Sequence, residues 1–361
     1  MSSDSQQPDL LVVKNQPFNA ETPSSALRQP ITPTPNFYVR SNFAVPTPIS
    51  DPDSWSLDID GSLDSPFTIS YRDLLGLPSH ALIATLECAG NSRLGLAPLP
   101  KGEPWSSGAV STAQWRGVLL AGLLSRAGLR PTAVEILFSG ADSGTMDNNP
   151  EQITFQRSLP ISMALHPDVL LAYEMNGAPL PPEHGGPIRL LVPGWYGMAS
   201  VKWLVRITAL DAPFTGFFQT QRYVYSRPSD TTSPDAPETP VREILVKSLI
   251  NYPASGELLP LAPVAITGFA WSGAAPVTSV EVATEGEGAW QSATLVGDVT
   301  PYTWQQWRYV WTPTRPGRYA LRSRATDALG NTQPDQAPWN RLGYGNNSIQ
   351  THIVQINPRQ E

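Results

Sequence analysis

Proline decides what this chain cannot become. Thirty-eight prolines are spread through 361 residues, beside 27 glycines. A proline inside a helix removes a backbone hydrogen bond and clashes with the preceding turn, so helices between such breaks must be short. The sequence therefore predicts strands, turns and ordered loops, with only brief helices. The length exceeds one ordinary core and points to two domains. A hydrophobic fraction of 40% and a charged fraction of 15% describe a globular chain, and its 11 tryptophans suit packed β-sheets.

The net charge of −7 argues against a nucleic-acid partner, which would call for a basic patch. No apolar run approaches the roughly 20 residues of a membrane helix, so no membrane partner is expected. Met1 to Gln7 lacks a basic region, and Leu10 to Val13 is too short for a secretory leader. A cytoplasmic location is the expectation.

Residues 1–35 are polar and proline-rich (Pro23, Pro30, Pro33, Pro35) and read as an extended arm. Residues 36–235 mix strands and short helices, an α+β pattern. Trp55 to Gly61 alternates as a strand, Ser62 to Pro66 reads as a turn, and Ser70 to Asp73 as a capping box opening a short helix. Ser111 to Gln114 reads as a second capping box. Trp115, Val118, Leu119 and Leu123 follow at helical spacing, with Gly128 as the stop. Val134 to Phe138 and Ile188 to Val192 read as strands, and Ile161 to Leu165 as a helix. The proline-rich stretch 226–240 reads as the interdomain connection. Residues 236–361 are all β, with strands at Val264 to Phe269, Val277 to Val282, Trp304 to Trp311 and Tyr319 to Ala325. Their spacing predicts an immunoglobulin-like sandwich.

Cys88 is the only cysteine. One thiol makes no intrachain disulfide and no multi-cysteine metal site. A lone cysteine is usually a small buried hydrophobe. This one, however, ends an apolar run (Ala81 to Leu86) and enters the turn Cys88-Ala89-Gly90-Asn91-Ser92-Arg93. A thiolate there, beside backbone amides and a guanidinium, could ligate a soft metal.

The hexapeptide resembles the Cys-Ala-Gly-Asn-Arg-Arg signature of the sulfite oxidase family. The resemblance continues, in order, through Phe37 to Arg40, Trp105, Ser111 to Trp115, Leu170 to Gly177, His184 to Arg189, Val192 to Gly194 and Val201 to Leu204. It covers nearly everything from Asn36 onward and implies a molybdenum enzyme. Molybdenum would be held by molybdopterin, with Cys88 as the protein ligand. Asp142, His184, Arg189, Ser200, Lys202, Asn42 and Arg40 match positions around that cofactor. Arg40, Arg93, Trp105 and Tyr223 match positions around a small oxyanion substrate; Tyr223 lies 21 residues after Lys202. Forked guanidiniums suit a phosphate or an oxyanion, and a tyrosine can donate to an oxygen and relay a proton.

The implied activity is oxidation of sulfite to sulfate by oxo transfer. The implied assembly is a homodimer through the second domain. No haem motif is visible, so electrons are expected to pass to a separate acceptor, a cytochrome or oxygen. Three positions depart from the family pattern. Asn42 stands where a histidine is usual, and Ser92 where the first arginine of a pair is usual. Leu342 stands where sulfite-oxidising members carry an arginine, with Arg341 one place early. These leave a reductase of nitrate or a sulfoxide as the nearest rival. A non-catalytic β-sandwich binding protein and a thiol-dependent hydrolase using Cys88 and His184 are more distant ones.

Overall fold

Helices are as scarce as the prolines demand. The computed structural model describes residues 9–47, 51, 54–146, 149–225, 238–285 and 289–357. Among them the α-helices are Tyr71–Leu75, Leu120–Ala127 and Ile161–Ala164. None is long and apolar enough to cross a membrane. Strands dominate, so the chain is mostly β, and the α+β expectation for the first domain holds only loosely. Most of the predicted interdomain stretch, 226–237, lies outside the described residues.

The first domain holds two five-stranded sheets. In one, Ser79–Glu87 pairs with Val110–Leu119, which pairs with Leu170–Met175; all are antiparallel. In the other, Ser56–Gly61 runs parallel to Leu204–Leu210, which pairs antiparallel with Glu135–Met146. Gly61 makes that approach possible. Its φ is +92°, and a Cβ there would lie 2.2 Å from the Ala209 carbonyl oxygen. Leu57, Ile59, Ile136, Phe138 and Ile207 from the second sheet join Leu171 and Leu190 from the first in one core. Leu120, Leu123, Leu124 and Ala127 of the helix complete it.

The capping box expected at Ser111 to Gln114 does not exist. Val110–Leu119 is a strand, and the helix begins only at Leu120. Alternation wins over helical spacing: Ala113, Trp115 and Gly117 are buried while Gln114 and Arg116 are exposed. The Ser111 hydroxyl instead bonds the Thr22 hydroxyl at 2.7 Å and accepts from the Tyr38 N–H at 3.2 Å. The other capping box is present, with Ser70 Oγ accepting from the Asp73 N–H at 3.1 Å. Gly128 closes the long helix at φ +69°.

The described part of the arm, from residue 9, is extended but packed. Leu11–Lys14 and Asn19–Glu21 form a hairpin, Ala20 bridges Val39, and Asn19, Glu21, Thr22 and Thr32 are buried.

The second domain contains two further sheets. Lys247–Tyr252, Val264–Trp271, Gln305–Trp311 and Thr294–Val296 form one; Gly317–Asp327, Thr351–Asn357, Val277–Ala283 and shorter strands form the other. Ile266, Trp307, Val280, Leu321 and Ile356 lie between them in a separate core. The loop from Thr332 to Gln350 then returns to the first domain, where Trp339 donates its indole N–H to the Pro98 carbonyl at 2.8 Å.

Candidate active site

Strand Ser79–Glu87 ends one residue before the thiol, and the turn that follows is tied down by the backbone. The Cys88 N–H donates to the Ala109 carbonyl at 2.9 Å, and the Cys88 carbonyl accepts from the Asn91 N–H at 2.8 Å. Cys88 is 7% exposed and lines a pocket. Arg40, Asn42, Asp142, His184, Arg189, Ser200, Lys202 and Tyr223 line the same pocket. Residues expected to meet, from positions 40 to 223, thus line one pocket with the lone thiol. Burial pushes the Cys88 thiol up from its usual range, while the Arg40 and Arg93 guanidiniums and a hydrogen bond from the Gly90 backbone pull it down. Metal ligation requires the deprotonated form, so two nearby cations favour it.

Several of the lining residues offer hydrogen-bond donors and acceptors to the pocket. Asp142 Oδ1 is buried without a hydrogen-bond partner, an acceptor waiting for an N–H donor. Lys202 Nζ donates to Ser41 Oγ at 2.9 Å and to the Glu183 carbonyl at 3.0 Å. Arg189 donates through Nε to the Leu190 carbonyl at 3.4 Å, through NH1 to the His184 carbonyl at 2.9 Å and through NH2 to the Ser200 carbonyl at 3.0 Å, and its guanidinium lies 5.2 Å from the Trp115 ring centroid. Those contacts leave further guanidinium N–H donors for an anion. Burial, reinforced by Lys202 and Arg189, lowers His184 to about 3, so its imidazole is neutral. Ser200 Oγ accepts from the Val192 N–H at 3.0 Å, which leaves its hydroxyl proton free to donate. A carboxylate oxygen without a partner, an arginine, a free hydroxyl and a lysine that burial and Arg189 lower to about 7 are complementary to the donors and acceptors of a pterin phosphate.

Arg40, Asn42 and Tyr223 line the same pocket. Arg40 donates through NH1 to Asn19 Oδ1 at 3.3 Å and to the Ser41 carbonyl, and through NH2 to Asn42 Oδ1 at 2.8 Å. Asn42 Nδ2 lies 3.1 Å from Tyr223 Oη, so Arg40, Asn42 and Tyr223 form one hydrogen-bonded chain. The Tyr223 ring stacks on Tyr344 of the returning loop, centroids 5.3 Å apart. Below it the Arg157 guanidinium lies 5.9 Å from the ring centroid and donates to the Phe218 and Val241 carbonyls, bracing the turn before Tyr223.

Arg93 and Trp105 stand apart from the side chains that line the pocket. Arg93 donates through Nε and NH2 to the Leu342 carbonyl at 3.1 and 3.0 Å, and through NH1 to the Glu103 carbonyl at 2.7 Å. These bonds tie the cysteine loop to the returning loop and leave one N–H each on NH1 and NH2. Trp105 is fully buried in the same apolar cluster as Cys88. Arg341 pairs at the surface with Glu238 at 2.7 Å.

Sequence reasoning missed Tyr38 and Ser41, which also line the pocket, and Arg157 beneath it. Tyr38 and Ser41 were findable, because they stand beside Arg40 and Asn42 in one short segment whose residues line the pocket together. Arg157 gives no such signal, since its role depends on carbonyls of residues 218 and 241.

The carboxylate facing the pocket predicts a pH dependence. Burial raises Asp142 from its ordinary 3.8 to about 6 against the pull of Lys202. In cofactor-free protein the folded state then holds this proton more tightly than the unfolded chain does. That stabilisation is complete below 3.8 and is lost as pH rises through about 6. Asp142→Asn is expected to remove the loss, a difference on the order of 1 to 3 kcal/mol. Urea denaturation of both proteins across this window checks it; parallel stability curves would refute the assignment.

Comparison with known proteins accounts for this arrangement. The family model of the oxidoreductase molybdopterin binding domain matches residues 44–218, and that of the Mo-co oxidoreductase dimerisation domain matches residues 238–358. Mitochondrial sulfite oxidase of Rattus norvegicus is 35% identical over 97% of this chain, which spans 66% of that relative's length. Nitrate reductase [NADH] 1 of Phaseolus vulgaris is 34% identical over 92% of this chain and 40% of its own. Among solved structures, the sulfane dehydrogenase SoxCD of Paracoccus pantotrophus superposes with a TM-score of 0.80 at 27% identity, covering 99% of this chain and 90% of that one. With both family models matched in succession along the sequence and the lone thiol lining the pocket, the chain belongs to the sulfite oxidase and nitrate reductase family of molybdopterin oxidoreductases.

Proposed function

We propose that this protein oxidises sulfite to sulfate. The observation that carries the reading is the Arg40–Asn42–Tyr223 chain facing the same pocket as Cys88. It supplies a fixed cation and a neutral donor for a small oxyanion beside the metal ligand. Two of the relatives described above, the sulfite oxidase and the sulfane dehydrogenase, are named for sulfur chemistry. Molybdopterin, when bound, supplies the metal, its sulfur ligands and the two-electron capacity for oxo transfer. The rest falls to the chain. Cys88 Sγ holds the metal. Asp142, Ser200, Lys202 and Arg189 orient the cofactor by its hydrogen bonds and phosphate. Arg40 binds the anion through N–H groups aimed by Asn19 and Asn42. Tyr223 Oη, bonded to Asn42, holds a proton within reach of a bound oxygen. Phe155 and Met198 add apolar surface to the same pocket.

The second reading is nitrate reduction. Leu342, buried where sulfite-oxidising members place an arginine, favours it, as does the plant relative. Steady-state turnover of sulfite with an artificial acceptor, run beside nitrate with a reduced dye, decides. Sulfite turnover without nitrate turnover is expected, and the reverse overturns the proposal. We also infer an immunoglobulin-like second domain and a separate electron acceptor, a cytochrome or oxygen. A homodimer through residues 238–358 is expected, with light scattering at micromolar concentration giving twice the mass of one chain. A single-chain mass would refute it.

A further inference from the structure

The loop that carries Cys88 takes its shape from the second domain. Glu87, immediately before the thiol, is 2% exposed, and both its carboxylate oxygens are engaged. Oε1 accepts from Lys247 Nζ at 3.2 Å and from Asn91 Nδ2 at 2.9 Å; Oε2 accepts from the Trp271 indole N–H at 2.8 Å. Lys247 and Trp271 are register partners on adjacent antiparallel strands of the second domain. Together they present an ammonium and an indole donor to a single carboxylate. Lys247 is 1% exposed and also donates to Ser92 Oγ at 2.8 Å and to the Asn346 carbonyl at 2.9 Å, which uses all three ammonium protons. The returning loop adds the Gly345 N–H on the Ala89 carbonyl at 2.8 Å and Asn346 Nδ2 on the Ser92 carbonyl at 2.7 Å.

This arrangement is costly as a device for stability alone. Two fully buried charges repay little of their desolvation, and apolar replacements of such pairs are often as stable. What a satisfied ion pair provides is a defined geometry. Here that geometry belongs to residues 87 to 92, which flank the thiol on both sides. The departure at Ser92 fits the same picture. Where the family pattern has a loop arginine, this chain has a short hydroxyl in the left-handed region (φ 66°), and the cation reaches it from Lys247.

We infer that Lys247, acting through Glu87 and Ser92 with Trp271, is the positioning residue for Cys88, so that the domain matched as a dimerisation module also builds the metal-ligand loop. Its consequence for turnover rests on Cys88 being the metal ligand; its consequence for the loop does not.

The single cysteine makes the test direct. An aromatic disulfide reagent added to cofactor-free protein reports on Cys88 and nothing else. Lys247→Met leaves Glu87 buried beside an apolar chain, and Trp271→Phe deletes only the indole donor. If Lys247→Met does not fold, Trp271→Phe carries the test. Thiol reaction in a folded protein passes through local opening, so Lys247→Met is expected to react about tenfold faster than wild type, and Trp271→Phe about threefold faster. Molybdenum content after loading is expected to fall in the same order, while circular dichroism stays native. A folded variant with the wild-type thiol rate and full molybdenum content overturns the inference. Absence of sulfite turnover in the wild type would sink the proposed function and leave the thiol result standing.

Discussion

Cys88→Ser is expected to abolish turnover while sparing the fold. The side chain accepts one hydrogen bond within the turn, from the Gly90 backbone, which a serine hydroxyl can also accept; the loop is otherwise closed by the Cys88 N–H on Ala109, the Asn91 N–H on the Cys88 carbonyl and the Glu87 network. Serine is close in size, so the stability change should stay within about 1 kcal/mol. The chemistry does not survive the exchange. A hydroxyl is far harder to deprotonate than a thiol, and it is a poor ligand for a metal that also binds dithiolene sulfurs. A fall in kcat/KM of at least about a thousandfold is expected, equivalent to ~4 kcal/mol of barrier. Steady-state kinetics beside elemental analysis of both proteins checks it. A serine variant retaining a tenth of wild-type turnover would mean that the sulfur is not the ligand.

Much of the site could be read from the chain because its parts lie in short, contiguous segments. Cys88, Arg40, Asn42, Asp142, His184, Arg189, Ser200, Lys202 and Tyr223 each stand in a local pattern, and all line one pocket. What stayed hidden depends on partners far along the chain. Arg93 reads as a free cation until its acceptor is known to be the carbonyl of Leu342, a backbone atom with no sequence signature. Lys247 looks like an ordinary strand lysine until Glu87 meets it across 160 positions. The strand at Val110–Leu119 was obscured because Trp115, Leu119 and Leu123 satisfy a helical spacing by coincidence. Pairing on both edges, with Ser79–Glu87 and Leu170–Met175, overrides local preference. The scarcity of helix, by contrast, follows from proline alone. The two-domain division follows from length and from the change in pattern after residue 240.

Arg40→Met is expected to cost more than the loss of one cation. The guanidinium does two things at once: it offers donors toward the pocket, and its NH2 holds Asn42 Oδ1 at 2.8 Å. Asn42 in turn sets Tyr223 Oη at 3.1 Å. Removing the guanidinium weakens anion binding and releases the amide that orients the tyrosine. Truncating one member of a partly buried, charge-assisted network costs about 2–5 kcal/mol, which converts to about 30- to 4,000-fold in kcat/KM. The two roles can be separated. Arg40→Lys keeps a positive charge but lacks the planar fork that reaches Asn19, the Ser41 carbonyl and Asn42 together. It should recover most of the loss in KM for sulfite and little of the loss in kcat. Asn42→Ala should lower kcat with a smaller change in KM, because it frees the tyrosine and the NH2 group while NH1 stays held by Asn19 and the Ser41 carbonyl. If Arg40→Met turns over sulfite with wild-type KM, the anion binds elsewhere, and the hydrogen-bonded chain from Asn19 to Tyr223 only braces the pocket wall.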